Sequence, residues 1–388
     1  MTGRERVLAA LWGGLPDTVP FTPNIYYWFY NRKARGTLPE EIADAEHPFD
    51  VLRYLGAEIL ARWDAYPLTR EVFTAGELTD EFLGESSFER PMVTSFNVFP
   101  PRRNIRRREL VTPHGTLSQQ WTLSEQAGAE FESEYWWKDW SEYEAVRFLM
   151  ETREYEFDAG AFRALVERVG DDGLMMAYIT QPPLKTFHWL AGAENASYFL
   201  VDHPEEMKEL AEIHERKALA LVERMVKLPE CEVFITADNL DSAFYPPYFF
   251  EDYCRSFYTR AAEIVHGAGK LLCVHACGHQ KALLPLVGET RIDCLEGVTP
   301  PPTGDVQLGE VRRMTGYEKF TVNGGMDATR MEVTENAEQF LHSYTRNLFD
   351  SMGDKRHFIY ASSCTTTLVT PWENIRYVRD AARKYGRL

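Results

Sequence analysis

Eight short apolar runs, each ending on polar residues, constrain this chain more than any other feature. They lie at residues 19–24 (VPFTPN), 57–64 (AEILARWD), 174–180 (LMMAYIT), 231–238 (CEVFITAD), 271–277 (LLCVHAC), 291–297 (RIDCLEG), 319–325 (KFTVNGG) and 357–363 (HFIYASS). Amphipathic stretches of helical length separate several of them, such as PEEMKELAEIHERKALALVERMVK and ENAEQFLHSYTRNLF. That alternation predicts parallel strands covered by helices on the outside. Eight strand–helix units in 388 residues is the count of a (β/α)8 TIM barrel. An open doubly wound sheet is the alternative, but no Gly-rich nucleotide loop follows an early strand.

The gap between the second and third runs is too long for one connection. The expected organisation is therefore one (β/α)8 barrel domain over residues 1–388, with an insertion at 65–172 that covers the barrel mouth. Inside it, PPRRNIRRREL followed by VTPHGTLSQQWTL reads as a hairpin turning at Pro113 and His114. Its arginines are expected on a solvated edge.

The balance of 42 Lys+Arg against 59 Asp+Glu gives a net charge of −17. Such a surface repels nucleic acid and anionic membrane, so neither is expected as a partner. The opening MTGRERVLAALWGGLPD reads as a charged helix rather than a signal peptide, and no apolar run is long enough to span a bilayer. A cytoplasmic location is the expectation, and the six cysteines are then thiols.

In a barrel of this class the active site forms at the C-terminal ends of the strands. Those ends carry Asn24, Asp64, Thr180 with Gln181, Asp238 with Asn239, His275 with Cys277, Glu296, Asn323 with Asp327, and Cys364. Asp and Asn are also favoured helix caps, whereas His and Cys are not. His275 and Cys277 stand two positions apart, so an extended chain points both to one face. A buried core pair is the plainer reading of that strand alone. Cys364 follows the eighth run and comes to the same mouth. Two sulfurs and an imidazole form a set that zinc takes, with a fourth position left for water or substrate. Cys273 lies one layer deeper and reads as core; His279 reads as a helix-start or outer residue.

Two runs are dense in rings, IYYWFY at 25–30 and ESEYWWKDW at 132–140. They read either as packing or as a substrate pocket closing over a donor, with Tyr26, Tyr27 and Trp28 as its walls and Asn24, Asn239 and Asn323 as polar contacts. Glu296 and Asp238 are the candidate catalytic carboxylates, as a proton donor to a leaving group or as the partner that orients His275.

Several segments carry a family likeness: RERVLAALWGGLPDTVPF, TPHGTLSQ, PPLKTFHWLAGAENASYFLVDHPEEM, VHACGH, VNGGMD and SSCTTTLVTPWENIRYVRDAARKYG. Through them the chain resembles, over nearly its whole length, the uroporphyrinogen decarboxylase-like superfamily, and within it the zinc-dependent, corrinoid-linked methyltransferase branch. The resemblance implies Zn2+ held by His275, Cys277 and Cys364. It implies methyl transfer between a small methylated donor, an aryl methyl ether (O-demethylase type) or a methylated amine, and a corrinoid (cobalamin) carried by a partner corrinoid protein. Two other activities of the superfamily fit the same fold: a methylcobamide:thiol methyltransferase, and a decarboxylase acting on a non-porphyrin carboxylate. One departure matters. Where the true decarboxylases carry an Arg-Gln-Ala-Gly-Arg type motif, this chain has NIYYWFYNRKARG, in which Arg32 and Arg35 are the arginines that a substrate acid group would use.

Overall fold

A computed structural model describes residues 1–94 and 96–388. Seven of the eight apolar runs form parallel strands: β1 (Ile59–Ala61), β2 (Gly173–Tyr178), β3 (Val233–Ala237), β4 (Leu271–His275), β5 (Cys294–Val298), β6 (Thr321–Met326) and β7 (Phe358–Ser362). Every residue of β2, β3, β4, β6 and β7 is buried, which is why their sequences are continuously apolar instead of alternating. The strands pair in chain order, each with the next.

The eighth run, near the N-terminus, closes the ring. Thr22 donates its amide to the Tyr360 carbonyl, and Tyr360 donates its own to Pro20, both at 2.9 Å. On the other side the Glu58 amide donates to Phe21 at 3.0 Å, and the Glu58 carboxylate accepts the Phe21 amide at 2.7 Å. Residues 20–22 thus bridge β7 and the approach to β1. Their pairing is too short to count as a full strand, because Pro20 and Pro23 lack amide donors for a longer ladder.

Helices cover the outside, among them Pro183–Asp202 and Pro204–Met225 after β2, Arg255–Gly267 after β3, Ala337–Met352 after β6 and Trp372–Tyr385 after β7. Among the described residues, no helix is long and apolar enough to cross a membrane.

Between β1 and β2 the chain builds more than a hairpin. Glu77–Leu83, Ile105–Thr112, Gly115–Ser124 and Ala129–Glu134 form a four-stranded antiparallel sheet. The expected turn is present, since Thr112 pairs with Gly115 across Pro113 and His114. The arginines meet expectation only in part. Strand alternation turns Arg106 and Arg108 to one face, where they meet Asp80 and Glu71, and Arg107 to the other, beside Glu109. Arg108 is only 11% exposed and is not solvated, whereas Arg102, at 71%, and Arg103 are exposed as expected.

Candidate metal centre

Register brings the site together. His275 on β4 lies opposite Ala237 on β3 and Glu296 on β5, and Glu296 lies opposite Asn323 on β6. His275, Glu296 and Asn323 therefore occupy one layer at the C-terminal rim. Just beyond β4, Cys277 approaches Asn239, its Sγ 3.8 Å from Oδ1. Cys364 arrives from the far side of the barrel, behind Ser363, whose amide is held by the Met326 carbonyl and whose Oγ accepts the Gly325 amide. The ligand atoms of His275, Cys277 and Cys364 all lie within 4.8 Å of one another.

Those three donors fit a single ion. Zinc takes nitrogen at about 2.0–2.1 Å and sulfur at about 2.3 Å, so ligands around one ion stand under about 5 Å apart. The histidine is also oriented for the task. Its Nδ1 contacts the Glu296 carboxylate, which leaves Nε2 as the ring nitrogen free to ligate. Arg62 Nη2 stands 3.0 Å from the same Nδ1, but Arg62 is itself engaged by Glu296, at 3.1 Å from Nε, and by the Tyr66 hydroxyl. A guanidinium cannot accept a proton, so the carboxylate sets the tautomer, with Nδ1–H donating to Glu296.

The electrostatics agree with that arrangement. Burial opposes the charge on Glu296, yet Arg62 and then His275 outweigh it and bring its carboxyl down to about 2. Glu296 is thus an anion at neutral pH and suited to orienting His275, not to donating a proton. Burial and Arg62 disfavour protonation of His275, and Glu296 with Cys364 reverses this to a net upward shift. The sulfurs divide one proton: hydrogen bonding to Cys277 holds Cys364 well below the usual thiol range, and the same contact, with burial, pushes Cys277 up.

The other expected residues divide between the site and the scaffold. Asn323 is 2% exposed, and its Oδ1 has no hydrogen-bond partner among the described residues; nor has the Oδ1 of Asn24, which lines the same small space beside Arg62 and Glu296. Asp238 is turned away, bonded to the Tyr258 hydroxyl and the Asn239 amide, and burial pushes its carboxyl up. Tyr26 and Tyr27 line a cavity of about 840 Å³ with Tyr30, Trp63, Asp64 and Thr365, the neighbour of Cys364. Trp28 does not. The helix Tyr26–Arg35 rotates about 100° per residue, which sends Trp28 into the core, where it stacks on Trp372 and donates to the Thr370 carbonyl. The second ring-rich run is elsewhere again: Trp137 is fully buried against Phe199, and Trp140 stacks on His203 at 3.6 Å. The two runs do not close over one space.

Arg62 is the residue that sequence reasoning missed. It ends an apolar strand at AEILARWD, and a cation in that position was the available signal. Arg32 and Arg35 are occupied in the scaffold: Arg32 donates to the carbonyls of Thr37, Leu368 and Thr370, and Arg35 to that of Glu125.

The sequence profile of the uroporphyrinogen decarboxylase (URO-D) family matches residues 109–385. No curated protein matches the chain. Among solved structures, a methyltransferase from Methanosarcina mazei aligns over 99% of both chains with a TM-score of 0.62 at 12% identity, a likeness of fold. An intracellular xylanase from Thermoanaerobacterium saccharolyticum aligns over 54% of this chain and 72% of its own, with a TM-score of 0.34 at 11% identity, and carries no weight.

Proposed function

The chain belongs to the uroporphyrinogen decarboxylase family, and from that premise we propose that it is a zinc-dependent methyltransferase. It moves a methyl group between a small methylated donor, an aryl methyl ether or methylated amine, and a corrinoid carried by a partner protein. The observation that supports this most is the convergence of His275, Cys277 and Cys364 within 4.8 Å at the barrel rim. The arginines left in the region of the porphyrin motif, Arg32 and Arg35, are bonded to backbone carbonyls, and Lys33 between them is bonded to the carbonyls of Ala45 and Glu46 and to the Glu46 carboxylate.

In this reading each residue of the chain has a stated part. His275, Cys277 and Cys364 hold the ion, and Glu296 fixes the imidazole through Nδ1. Arg62 keeps Glu296 charged. When bound there, zinc supplies Lewis acidity toward the heteroatom that carries or accepts the methyl group, without redox change. Tyr26, Tyr27 and Trp63 wall the adjacent cavity and exclude water from the donor. Asn323 and Asn24 offer unpartnered carbonyl oxygens as acceptors in the same layer. Val93, Thr94, Val98 and Ala129 of the insertion at 65–172 line the same cavity, and the corrinoid protein is proposed to dock at the mouth beside it.

Metal analysis of the purified protein is expected to find one zinc ion per chain. Mixing the zinc protein with a reduced corrinoid partner and a panel of aryl methyl ethers and methylated amines is expected to change the cobalt absorption spectrum. A spectrum unchanged across the whole panel, or turnover that is equally fast after zinc removal, would overturn the proposal.

A further inference from the structure

A second cavity, of about 460 Å³, lies on the other side of the short helix Trp63–Leu68, between the barrel rim and the antiparallel sheet of the insertion. Its lining is unusual for a chain of net charge −17. Four arginines, Arg70, Arg106, Arg108 and Arg153, face two carboxylates, Glu71 and Asp80, an excess of two positive charges. Arg106 takes Asp80 in a two-pronged pair, and Arg153 takes Glu71 at 3.1 Å. Arg108 is left with the long contacts, 3.4 Å to Glu71 and 3.7 Å to Asp80.

Three polar groups on the lining lack partners among the described residues although buried: Nε of Arg108, Nε of Arg153 and the hydroxyl of Tyr178. Arg153 is 5% and Tyr178 6% exposed, so water does not freely satisfy them. A buried donor without an acceptor is costly, and all three groups belong to residues that line this one cavity. Flat apolar walls complete it, with Trp121, Trp136 and Trp189 among the lining residues and the guanidinium of Arg108 5.5 Å from the Trp136 ring centre.

We infer that this cavity binds an aromatic carboxylate, with the acid group received by Arg108, Arg153 and the Tyr178 hydroxyl and the ring between the tryptophans. Guanidinium donors match the two oxygens of a carboxylate, and the aromatic walls match a planar body. The volume suits a small aromatic acid. Binding here is independent of methyl transfer and of the metal. The cavity nevertheless borders the metal centre, because Tyr66 lines it and bonds to Arg62, which holds Glu296.

The test is calorimetric titration of the full-length protein with benzoate, benzamide and acetate. Benzoate is expected to bind at least about tenfold more tightly than either of the others, since only it has both the charge and the ring. Arg108→Gln is expected to weaken benzoate binding about tenfold or more and Tyr178→Phe by a few fold. Cys277→Ala, which disables the metal cluster, is expected to leave benzoate binding unchanged. Equal affinity for benzoate and benzamide overturns the inference. So does wild-type affinity in Tyr178→Phe, which removes one atom and decides the matter should Arg108→Gln fail to fold. Loss of benzoate binding in Cys277→Ala also overturns it, by placing the acid on the metal; that outcome leaves the methyltransferase proposal standing, whereas absence of zinc with benzoate binding intact does the reverse.

Discussion

Glu296 shows how one side chain sets the state of three others. It accepts from His275 Nδ1, pairs with Arg62 and, through Arg62, reaches the Tyr66 hydroxyl. Partners that orient a ligating histidine typically matter about 10–100-fold for metal affinity. Glu296→Gln keeps the size but loses the charge, so zinc affinity measured by chelator competition is expected to fall by about that factor, with the barrel still folded. Cys364→Ala goes further. It removes a ligand, and zinc content by elemental analysis is expected to fall from one ion per chain to a trace while the circular dichroism of the protein is unchanged. Zinc retained at full occupancy in Cys364→Ala would show that Cys364 is not a ligand. Cys364 lies beyond the last strand, which is why folding and metal binding separate there, whereas Glu296 sits within β5 in a buried pair with Arg62, so its variant is compared with the wild type by circular dichroism as well.

Among the elements, β5 deserves its own test because it is irregular where the site needs it. Its register with β6 shifts between Glu296 and Val298, and the residue absorbed there, Gly297, has φ +107°. A Cβ at Gly297 would lie 2.8 Å from the carbonyl oxygens of Ala276 and Ser363 and 3.1 Å from His275 Cε1. Gly297→Ala thus drives a methyl group between the chain segments that carry His275 and Cys364. Its cost is on the order of 1–3 kcal/mol in backbone strain alone, so a thermal melt is expected to drop and zinc affinity with it. An unchanged melt together with unchanged zinc binding would mean that β5 relaxes freely. The barrel strands and the convergence of His275, Cys277 and Cys364 were legible in the sequence because burial on both faces writes itself as continuous apolar runs, and because His and Cys at strand ends have no capping role to explain them. The insertion sheet was less legible. Glu77–Leu83 is exposed over most of its length and reads ELTDEFL, so no apolar alternation announces it as a strand. Trp28 and Asp238 were misplaced for a related reason: composition marks a residue as ring or acid, but only helix phase and the packing of Tyr258 decide which way it points.

For the molecule as a whole, two buried histidines contribute to the loss of stability in mild acid. His214 is 1% exposed; its Nε2–H donates to the Gln181 carbonyl at 2.7 Å, and its Nδ1 faces Arg153, with Tyr155 and Thr186 alongside. Burial and then Arg153 bring its pKa down to about 3, and burial with Lys185 brings His188 down to about 4. Both are neutral when folded. Below about pH 6.5 the unfolded chain takes up protons that the folded chain refuses, so each histidine lowers stability as pH falls, by at most about 1.4 kcal/mol per pH unit. Urea melts at about pH 7 and about pH 5.5 are expected to show this loss, and His214→Gln is expected to show a smaller one. Equal losses in the two proteins would exclude His214 as a source. The seam at residues 20–22 sets the order in which the site is built. His275 and Cys277 leave the ribosome well before Cys364, which follows the last strand of the sheet. That strand must zip onto β6 on one side and onto the N-terminal residues on the other before the third ligand is in place. On the proposed zinc reading, a nascent or frayed chain therefore carries an incomplete ligand set, and metal occupancy counts the barrels that have joined their two ends.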